Sequence, residues 1–279
     1  MNKNEEAGSP ASSKFRHKMK VCSFNVNSVK ARKDLVLEWL AHRANDIDVL
    51  CLQELKTEDQ GFPAEEFEKL GYHCHVFGQK AYNGVAILTK LAPLTVERGF
   101  ANRFWDEQKR LLRARIKGVH ILNIYAPHGD VRGMEKFDYK QEWYKNLVAF
   151  LSKNFTTRDP LLLVGDFNVA HQDIDVYSPE ALADMIGTMP EERAAFESLL
   201  DWGLVDAFRR LYPEKRQFTW WDYIGGAIWK DQGMRLDYVL ATAGLFKKIK
   251  TIEVDLWPRK RQKPTPSDHA PVIADLRLV

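Results

Sequence analysis

Several apolar segments of this sequence end abruptly in a carboxylate or an amide, and one begins just after an Asp-His pair. The residues concerned are Asn25, Asn27, Glu54, Asp166, Asn168, Asp237, Asp268 and His269. A single residue of this kind usually marks only a turn or a cap. Five strand ends with the same feature predict that loops at one sheet edge bring these side chains together, as rigid scaffolds do for active sites.

Such a cluster would consist of oxygen ligands and one imidazole. Hard oxygen ligands suit Mg²⁺ or Mn²⁺, and the sequence has no Cys/His set of the kind that holds a structural zinc ion. Protein-bound Mg²⁺ keeps several waters and binds substrate phosphates, so the cluster indicates phosphoryl-ester chemistry.

The composition permits a globular enzyme and leaves its partner open. The chain has 279 residues, of which 45% are hydrophobic, and this is enough for a large core. The formal net charge is only +3, from 41 Lys and Arg against 38 Asp and Glu. A surface that binds nucleic acid must therefore come from local patterning of charge.

The cysteines and the apolar runs indicate the cellular setting. Cys22, Cys51 and Cys74 cannot all pair, and none lies in a Cys-X-X-Cys motif, so we expect reduced thiols in a cytoplasmic compartment. In a bacterium the protein would associate with the nucleoid. No run reaches the ~18 apolar residues that a membrane span needs, so no membrane is expected as a partner.

Apolar patterning predicts the elements that must position the cluster. Strands are expected at 20–26, 48–53, 73–77, 84–89, 94–99, 111–116, 119–125, 160–164, 218–221, 236–241, 249–254 and 271–278, and helices at 29–44, 63–70, 137–154 and 191–202. Strand runs without a helix between them, mixed with strand–helix alternation, disfavour a purely parallel sheet. We expect a four-layer α/β sandwich, in which two mixed β-sheets pack face to face and helices flank them. Residues 1–18 indicate a disordered arm, and 19–279 a single domain.

Nine segments together resemble a known family. They are SFNVNSVKAR (23–32), LQELKT (52–57), YNGVAILTK (82–90), LNIYAPHG (122–129), VGDFNVA (164–170), PEERAAFESLLDWGLVDAFR (190–209), FTWWDY (218–223), GMRLDYVLA (233–241) and SDHAPV (267–272). In this order they resemble the exonuclease III-type apurinic/apyrimidinic (AP) endonucleases of the endonuclease/exonuclease/phosphatase superfamily. GDFN and SDHAP are typical of the superfamily, and LQELK, PEER…DWGLVDAFR and RLDY narrow the resemblance to this branch.

The resemblance implies a magnesium site, in which Mn²⁺ can substitute. Glu54 would be the main ligand with Asn25 beside it, and Asp268 would complete or support a second metal position. The whole set implied around the metal is Asn25, Glu54, Asp166, Asn168, Asp268 and His269.

The resemblance also implies catalytic roles. Asp166 would orient and deprotonate the attacking water, and Asn168 would help to hold the water or the phosphate. His269, oriented by Asp237, would contact the scissile phosphate. Tyr125 would donate to the same phosphate, or act near it as a phenolate. Cation, imidazolium and amide donors stabilise the charge that develops when a phosphodiester is cleaved.

DNA contacts are implied for a further set of residues, namely Asn27, Lys56, His128, Trp220, Met234 and Leu236. In a strand, Trp220 and Trp221 point to opposite faces, so one of them should be core. The resemblance places Trp220, Met234 and Leu236 in an apolar pocket for a flipped abasic sugar, which rejects an intact base by size. The alternative is that all three are core residues. The basic run 259–263 is either a phosphate contact or a solvated loop.

The implied function is Mg²⁺-dependent hydrolysis of the phosphodiester 5′ to abasic sites, with 3′–5′ exonuclease and 3′-phosphodiesterase activity. The implied partner is double-stranded DNA with abasic sites or blocked 3′ ends, bound by a monomer. Asn27-Ser28, His128 and the segment 171–189 depart from the usual family pattern and leave the balance of these activities open. Two alternatives are a related phosphodiesterase for RNA, phospholipid or inositol substrates, and a non-catalytic DNA-binding relative.

Overall fold

The structure is a computed structural model and describes residues 17–278. Its strands are β1 His17–Asn25, β2 Val49–Gln53, β3 His73–Phe77, β4 Val85–Thr89, β5 Thr95–Arg98, β6 Leu111–Ile116, β7 Val119–Tyr125, β8 Leu161–Asp166, β9 Leu204–Asp206, β10 Trp220–Trp221, β11 Gly233–Met234, β12 Asp237–Thr242, β13 Ile249–Val254 and β14 Val272–Leu278. Its helices are α1 Val29–His42, α2 Ala64–Glu68, α3 Arg103–Asp106, α4 Glu135–Asn154, α5 Pro179–Leu182, α6 Pro190–Asp201, α7 Ala207–Leu211 and α8 Ala243–Phe246.

Two six-stranded mixed sheets form the centre of the fold. Sheet A has the strand order β13-β14-β1-β2-β4-β3, and sheet B has the order β5-β6-β7-β8-β12-β9. Each sheet contains one parallel pair, β1 with β2 in sheet A and β7 with β8 in sheet B, and its other pairs are antiparallel. The carboxyl ends of the two parallel pairs carry most of the polar residues singled out in the sequence.

Three buried clusters define four layers. The largest cluster lies between the sheets and includes Val21 and Cys51 from sheet A and Val164 and Val239 from sheet B. A second cluster packs α4 and α6 on the outer face of sheet B. A third packs α1 on the outer face of sheet A. The predicted α/β sandwich, with two mixed sheets face to face and helices outside, is confirmed.

The predicted strands and the four predicted helices are all present, with ends shifted by a few residues. The hairpin at Lys117-Gly118 forms as expected, since Leu111–Ile116 pairs with Val119–Tyr125. The helices α3, α5, α7 and α8 and the strands β9 and β11 were not predicted. Each of these elements has five residues or fewer, which is too short to show a period in its sequence.

Strand β1 begins earlier than the sequence predicts. His17 and Lys18 pair with Leu278 and Arg277 of β14, so these two residues belong to sheet A and not to the predicted arm. Residues 1–16, the rest of that arm, lie outside the described residues.

The cysteines agree with the prediction from the sequence. Cys22, Cys51 and Cys74 are free, and the first two are buried in the apolar clusters. Among residues 17–278, the helices are all too short or too polar to cross a bilayer.

Candidate active site

Three predicted catalytic residues lie side by side on adjacent strands of sheet B. Asp166, the last residue of β8, is in register with Tyr125 of β7 on one side and with Asp237 of β12 on the other. Residues paired across strands project from the same face of a sheet. The register therefore places one phenol and two carboxylates in a row at the edge of sheet B.

Sheet A brings the facing groups to the same edge. Asn25 ends β1 and is in register with Gln53, which ends β2 and precedes Glu54. The amide nitrogen of Asn25 donates to Glu54 Oε1 at 2.9 Å and to Asp166 Oδ2 at 2.8 Å. This buried amide thus links carboxylates from the two sheets. Its oxygen accepts from the backbone nitrogen of Asn27 and is turned away from the carboxylates.

Glu54, Asp166 and His269 could hold a metal ion, because one ligand atom from each lies within 4.8 Å of the others. Burial raises the pKa of Asp166, with the imidazolium of His269 opposing this effect. Lys56 places its ammonium 2.9 Å from Glu54 Oε2, so a positive charge is already favoured at this carboxylate. Two nearby carboxylates at a half-enclosed site form a donor set that fits a hard divalent cation.

His269 is oriented by Asp237. Its Nδ1 lies 2.8 Å from Asp237 Oδ2, and its Nε2 lies 3.7 Å from Asp166 Oδ2. Burial disfavours the charged ring, but the carboxylates of Asp237 and Asp166 outweigh it and raise the pKa of His269 to about 10. An imidazolium donates hydrogen bonds and cannot ligate a metal, so in this charge state only the carboxylates of the three clustered residues are ligands, and His269 is suited to contact a phosphate oxygen.

The loop before β12 is fixed by a residue that sequence reasoning missed. The hydroxyl oxygen of Thr219 accepts from the backbone nitrogens of Leu236 and Asp237, both at 3.0 Å. The Asp237 side chain is therefore presented by a backbone that is held at two consecutive residues. The segment FTWW contains the only signal for this contact, a polar residue inside an apolar run.

Asn168 is held with its amide oxygen free to face the cavity. Its backbone nitrogen donates to Asp166 Oδ1 at 2.9 Å, and its side-chain nitrogen donates to Ala126 O at 2.9 Å. Asn168, Glu54 and Lys56 all have φ near +50°, a region that non-glycine residues rarely adopt and that clusters at functional sites.

Tyr125 is buried beneath these groups. Burial raises the pKa of Tyr125, and the nearby carboxylates of Glu54 and Asp166 raise it further, although the guanidinium of Arg110 opposes them. Arg110 lies over the tyrosine ring, 4.8 Å from its centroid, and donates to Tyr125 O. A high pKa favours the neutral phenol, which donates a hydrogen bond, over the phenolate.

Asp268 lies at the rim of the site and is not among the three clustered ligands. Its Oδ1 accepts from Asn27 Nδ2 at 3.0 Å, and its Oδ2 accepts from Trp220 Nε1 at 3.1 Å. Lys56 Nζ lies 2.5 Å from Asn27 Oδ1, so the side chain of Lys56 faces Glu54 and Asn27. Three residues predicted to contact DNA, namely Asn27, Lys56 and Trp220, thus contact residues predicted to hold the metal.

A cavity of about 330 Å³ opens above these groups. Its apolar side, here called the apolar pocket, is formed by Ile186, Gly187, Trp220, Met234 and Leu236. Its polar side is formed by Asn27, Glu54, Tyr125, His128, Asn168, Asp268 and His269.

The tryptophan pair divides between the cavity and the interior. Trp221 is 1% exposed and packs with Phe218 in a small buried cluster, whereas Trp220 lines the cavity beside Met234. Trp220 is also bridged to His269 through the backbone, so the two residues that line the cavity lie on adjacent segments.

The basic residues of the run 259–263 differ in their exposure to solvent. Arg259 is 5% exposed and donates to the carbonyls of Asp268, Trp221 and Asp222, so it anchors the loop and is not available for a phosphate. Arg261 is exposed and lies over the ring of Trp257. For Arg259 both readings of the sequence, phosphate contact and solvated loop, are wrong, because the backbone turns this side chain inward.

The chain is similar to known proteins along most of its length. A model of the Endonuclease/Exonuclease/phosphatase family matches residues 22–269. Exodeoxyribonuclease III of Haemophilus influenzae is 36% identical over 271 residues, which covers 93% of this chain and all of that protein.

Solved structures with the same fold include an AP endonuclease from Archaeoglobus fulgidus, with a TM-score of 0.88 and 37% identity. A 3′ phosphatase from Neisseria bound to a product DNA hairpin has a TM-score of 0.88 and 38% identity. In both cases the match covers 93% of this chain and all of the other.

Proposed function

From the family of this chain we propose its reaction. The chain belongs to the Endonuclease/Exonuclease/phosphatase family and, within it, to the exonuclease III-type AP endonucleases. We propose that it hydrolyses the phosphodiester 5′ to abasic sites in double-stranded DNA, with Mg²⁺ as its metal. It is a DNA repair nuclease of this type. We further propose that it removes nucleotides and blocking groups from 3′ ends, and that it works as a monomer, since one chain supplies every residue of the site.

One observation carries the proposal. The apolar pocket shares a single cavity with Glu54 and His269, and Asp166 completes the cluster with these two residues from its buried position. A sugar without a base can enter a small apolar pocket, while its 5′ phosphate stays at the polar side. An intact base would have to be accommodated as well, so size favours the abasic nucleotide.

Glu54 and Asp166 would hold the metal, with Asn25 fixing their separation. When bound, the divalent cation neutralises charge on the scissile phosphate. Asp166 also orients the attacking water and accepts its proton, and burial favours this by raising the pKa of the carboxylate.

The phosphate oxygens are contacted by donors on the other side. His269 donates from Nε2, because Nδ1 is held by Asp237 at 2.8 Å. Tyr125 donates its phenolic proton. These preorganised donors stabilise the charge of the transition state more than that of the ground state. Asn168 places its amide oxygen towards the water or the phosphate.

The residues proposed to bind DNA lie in and around the same cavity. Trp220, Met234 and Leu236 would receive the flipped sugar. His128, Asn27 and Lys56 lie around the polar opening and would contact the flanking phosphates, with Lys56 exchanging its contact to Glu54 for one to the DNA backbone.

A phosphodiesterase for RNA, phospholipid or inositol substrates would share the metal cluster but has no need of the apolar pocket. A non-catalytic DNA-binding relative has no need of the complete set Glu54, Asp166, Asp237 and His269. We therefore prefer the abasic-site nuclease.

The test is incubation of the protein and Mg²⁺ with a labelled duplex that contains one abasic site, followed by analysis of the ends. We expect a 3′-hydroxyl and a 5′-deoxyribose phosphate. β-Elimination products, or faster cleavage of RNA or inositol phosphates than of abasic DNA, would contradict the proposal.

A further inference from the structure

Lys140 on α4 and Glu192 on α6 form a fully buried ion pair behind the cavity. Lys140 Nζ lies 2.6 Å from Glu192 Oε1, and both side chains have 0% exposure. Charged side chains are almost never buried to this extent unless they are paired. Such a pair is weak evidence for stability, because apolar residues of the same volume often serve as well, so its hydrogen-bond partners are of interest.

The lysine holds one wall of the cavity. Besides Glu192, its ammonium donates to His128 O at 3.0 Å and to Asn168 O at 2.7 Å, which uses all three of its N–H groups. His128 and Asn168 both line the cavity. Lys140 itself does not line it, so it acts on the cavity only through the backbone of these two residues.

The glutamate holds a neighbouring part of the cavity lining. Glu192 Oε2 accepts from Gly187 N at 2.6 Å and from Met189 N at 3.1 Å. Gly187 belongs to the apolar pocket and has a φ of +86°, so its conformation depends on the absence of a side chain. One ion pair therefore ties together three backbone segments that contribute to the cavity, at residues 128, 168 and 187.

We propose that Lys140 and Glu192 are positioning residues that set the width of the cavity and thereby its preference for a baseless sugar over an intact nucleotide. This inference rests on the proposed function, since it concerns what the same pocket admits. An intact nucleotide needs the walls at His128 and Gly187 to move apart. The buried pair resists that movement, because it would break hydrogen bonds to two charged side chains that have 0% exposure.

An exposed ion pair joins the same loops at the surface. Arg132 contacts Asp184 and Glu191 through both arms of its guanidinium, at 2.5 to 2.7 Å. These side chains are 39–60% exposed, and ion pairs in water hold their partners weakly. We therefore assign the control of width to the buried pair.

The test compares wild type with Lys140→Met, Glu192→Gln and the double variant Lys140→Met/Glu192→Met. For each protein, kcat/KM is measured on a duplex with a tetrahydrofuran abasic analogue and on an undamaged recessed 3′ end. The quantity compared is the ratio of the two values, at a temperature where circular dichroism shows every variant to be folded.

We expect the ratio to fall at least about tenfold in both single variants, because small displacements of positioned groups strongly affect rates. The double variant leaves no unpaired buried charge, so its unfolding midpoint should recover towards wild type. Its ratio should stay low, because the tethers to His128, Asn168 and Gly187 are still missing. A purely structural role would restore both quantities together.

Arg43→Met is the matched control. Arg43 is 12% exposed and pairs with Asp46, Glu253 and Asp255, and none of these four residues lines the cavity. Its loss should lower the unfolding midpoint and leave the ratio at the wild-type value. A wild-type ratio in the folded double variant would overturn the inference. Failure of the wild type to cut the abasic duplex would instead refute the proposed function, and it would be seen before any variant is compared.

Discussion

Asp237 in sheet B and His269 in the loop that leads into sheet A meet with Oδ2 and Nδ1 2.8 Å apart. Asp237 is the first residue of β12 in sheet B, and His269 lies three residues before β14 in sheet A. The contact therefore depends on how the two sheets pack, and it fixes which ring nitrogen of His269 is turned towards Asp166.

Asp237→Asn should lower the pKa of His269 in the metal-free protein, because it removes the carboxylate that most strongly favours the charged ring. The value for wild type is about 10, above the ordinary value of 6.5. NMR titration of the imidazole nitrogens measures the change. An unchanged titration would show that Asp237 does not control the charge of His269.

The same shift has a consequence for stability in the metal-free protein. Because the folded pKa is raised, the stability that protonated His269 contributes is complete below about pH 6.5 and is lost as the pH rises through about 10. Asp237→Asn should flatten this part of the curve of unfolding free energy against pH, as measured by urea denaturation.

Asp166→Asn and His269→Ala should each lower kcat on abasic DNA by about 10²–10⁴-fold while binding changes little, since each removes a group that acts on the proton or the phosphate. Single-turnover kinetics and a gel-shift titration separate the two effects. Asp201→Asn, an exposed carboxylate at the end of α6, serves as the control and should leave both unchanged. Turnover like that of wild type in Asp166→Asn would disprove the proposed role of this carboxylate.

Removal of divalent metal by excess chelator should stop cleavage, and Mg²⁺ or Mn²⁺ should restore it. In Glu54→Gln, the Mg²⁺ concentration for half-maximal rate should rise by about 10–100-fold or more, because even outer partners of a metal site have effects of this size. Glu58→Gln, at an exposed position nearby, should behave like wild type. Full activity in excess chelator would contradict the metal role.

The adjacent tryptophans should respond oppositely to substitution. Trp221→Ala should lower the free energy of unfolding by about 3–5 kcal/mol, since this side chain is 1% exposed in a buried cluster. Trp220→Ala should cost far less stability but reduce kcat/KM on abasic DNA, because its ring lines the pocket. Chemical denaturation and steady-state kinetics measure both. If Trp220→Ala cuts abasic DNA as well as wild type, the pocket assignment fails.

Trp220→Phe separates two contributions of that residue. It keeps an aromatic wall but loses the hydrogen bond from Nε1 to Asp268 Oδ2. Activity close to wild type in Trp220→Phe would assign the effect of Trp220→Ala to the ring.

Much of the fold could be predicted because its signals are local. A continuous apolar run such as LLLV at 161–164 predicts a buried strand, and the apolar face of α4, with Trp143, Leu147 and Leu151, predicts a packed helix. The helices α3, α5, α7 and α8 escaped prediction because four or five residues contain too little periodicity.

By itself the sequence determined the family, through nine ordered segments, and the identities of the polar residues that end the strands. It did not determine which of those residues touch. The register of β7, β8 and β12 aligns Tyr125, Asp166 and Asp237, and the packing of the two sheets brings Glu54 and His269 to them.

Tertiary structure also decided where ambiguous side chains point. It turns Arg259 inward to three carbonyls, engages Asp268 with Asn27 and Trp220, and buries Lys140 with Glu192 behind the cavity. The physical reason is that secondary structure responds to neighbours in sequence, whereas a charged side chain settles where distant backbone groups and countercharges compensate its loss of water.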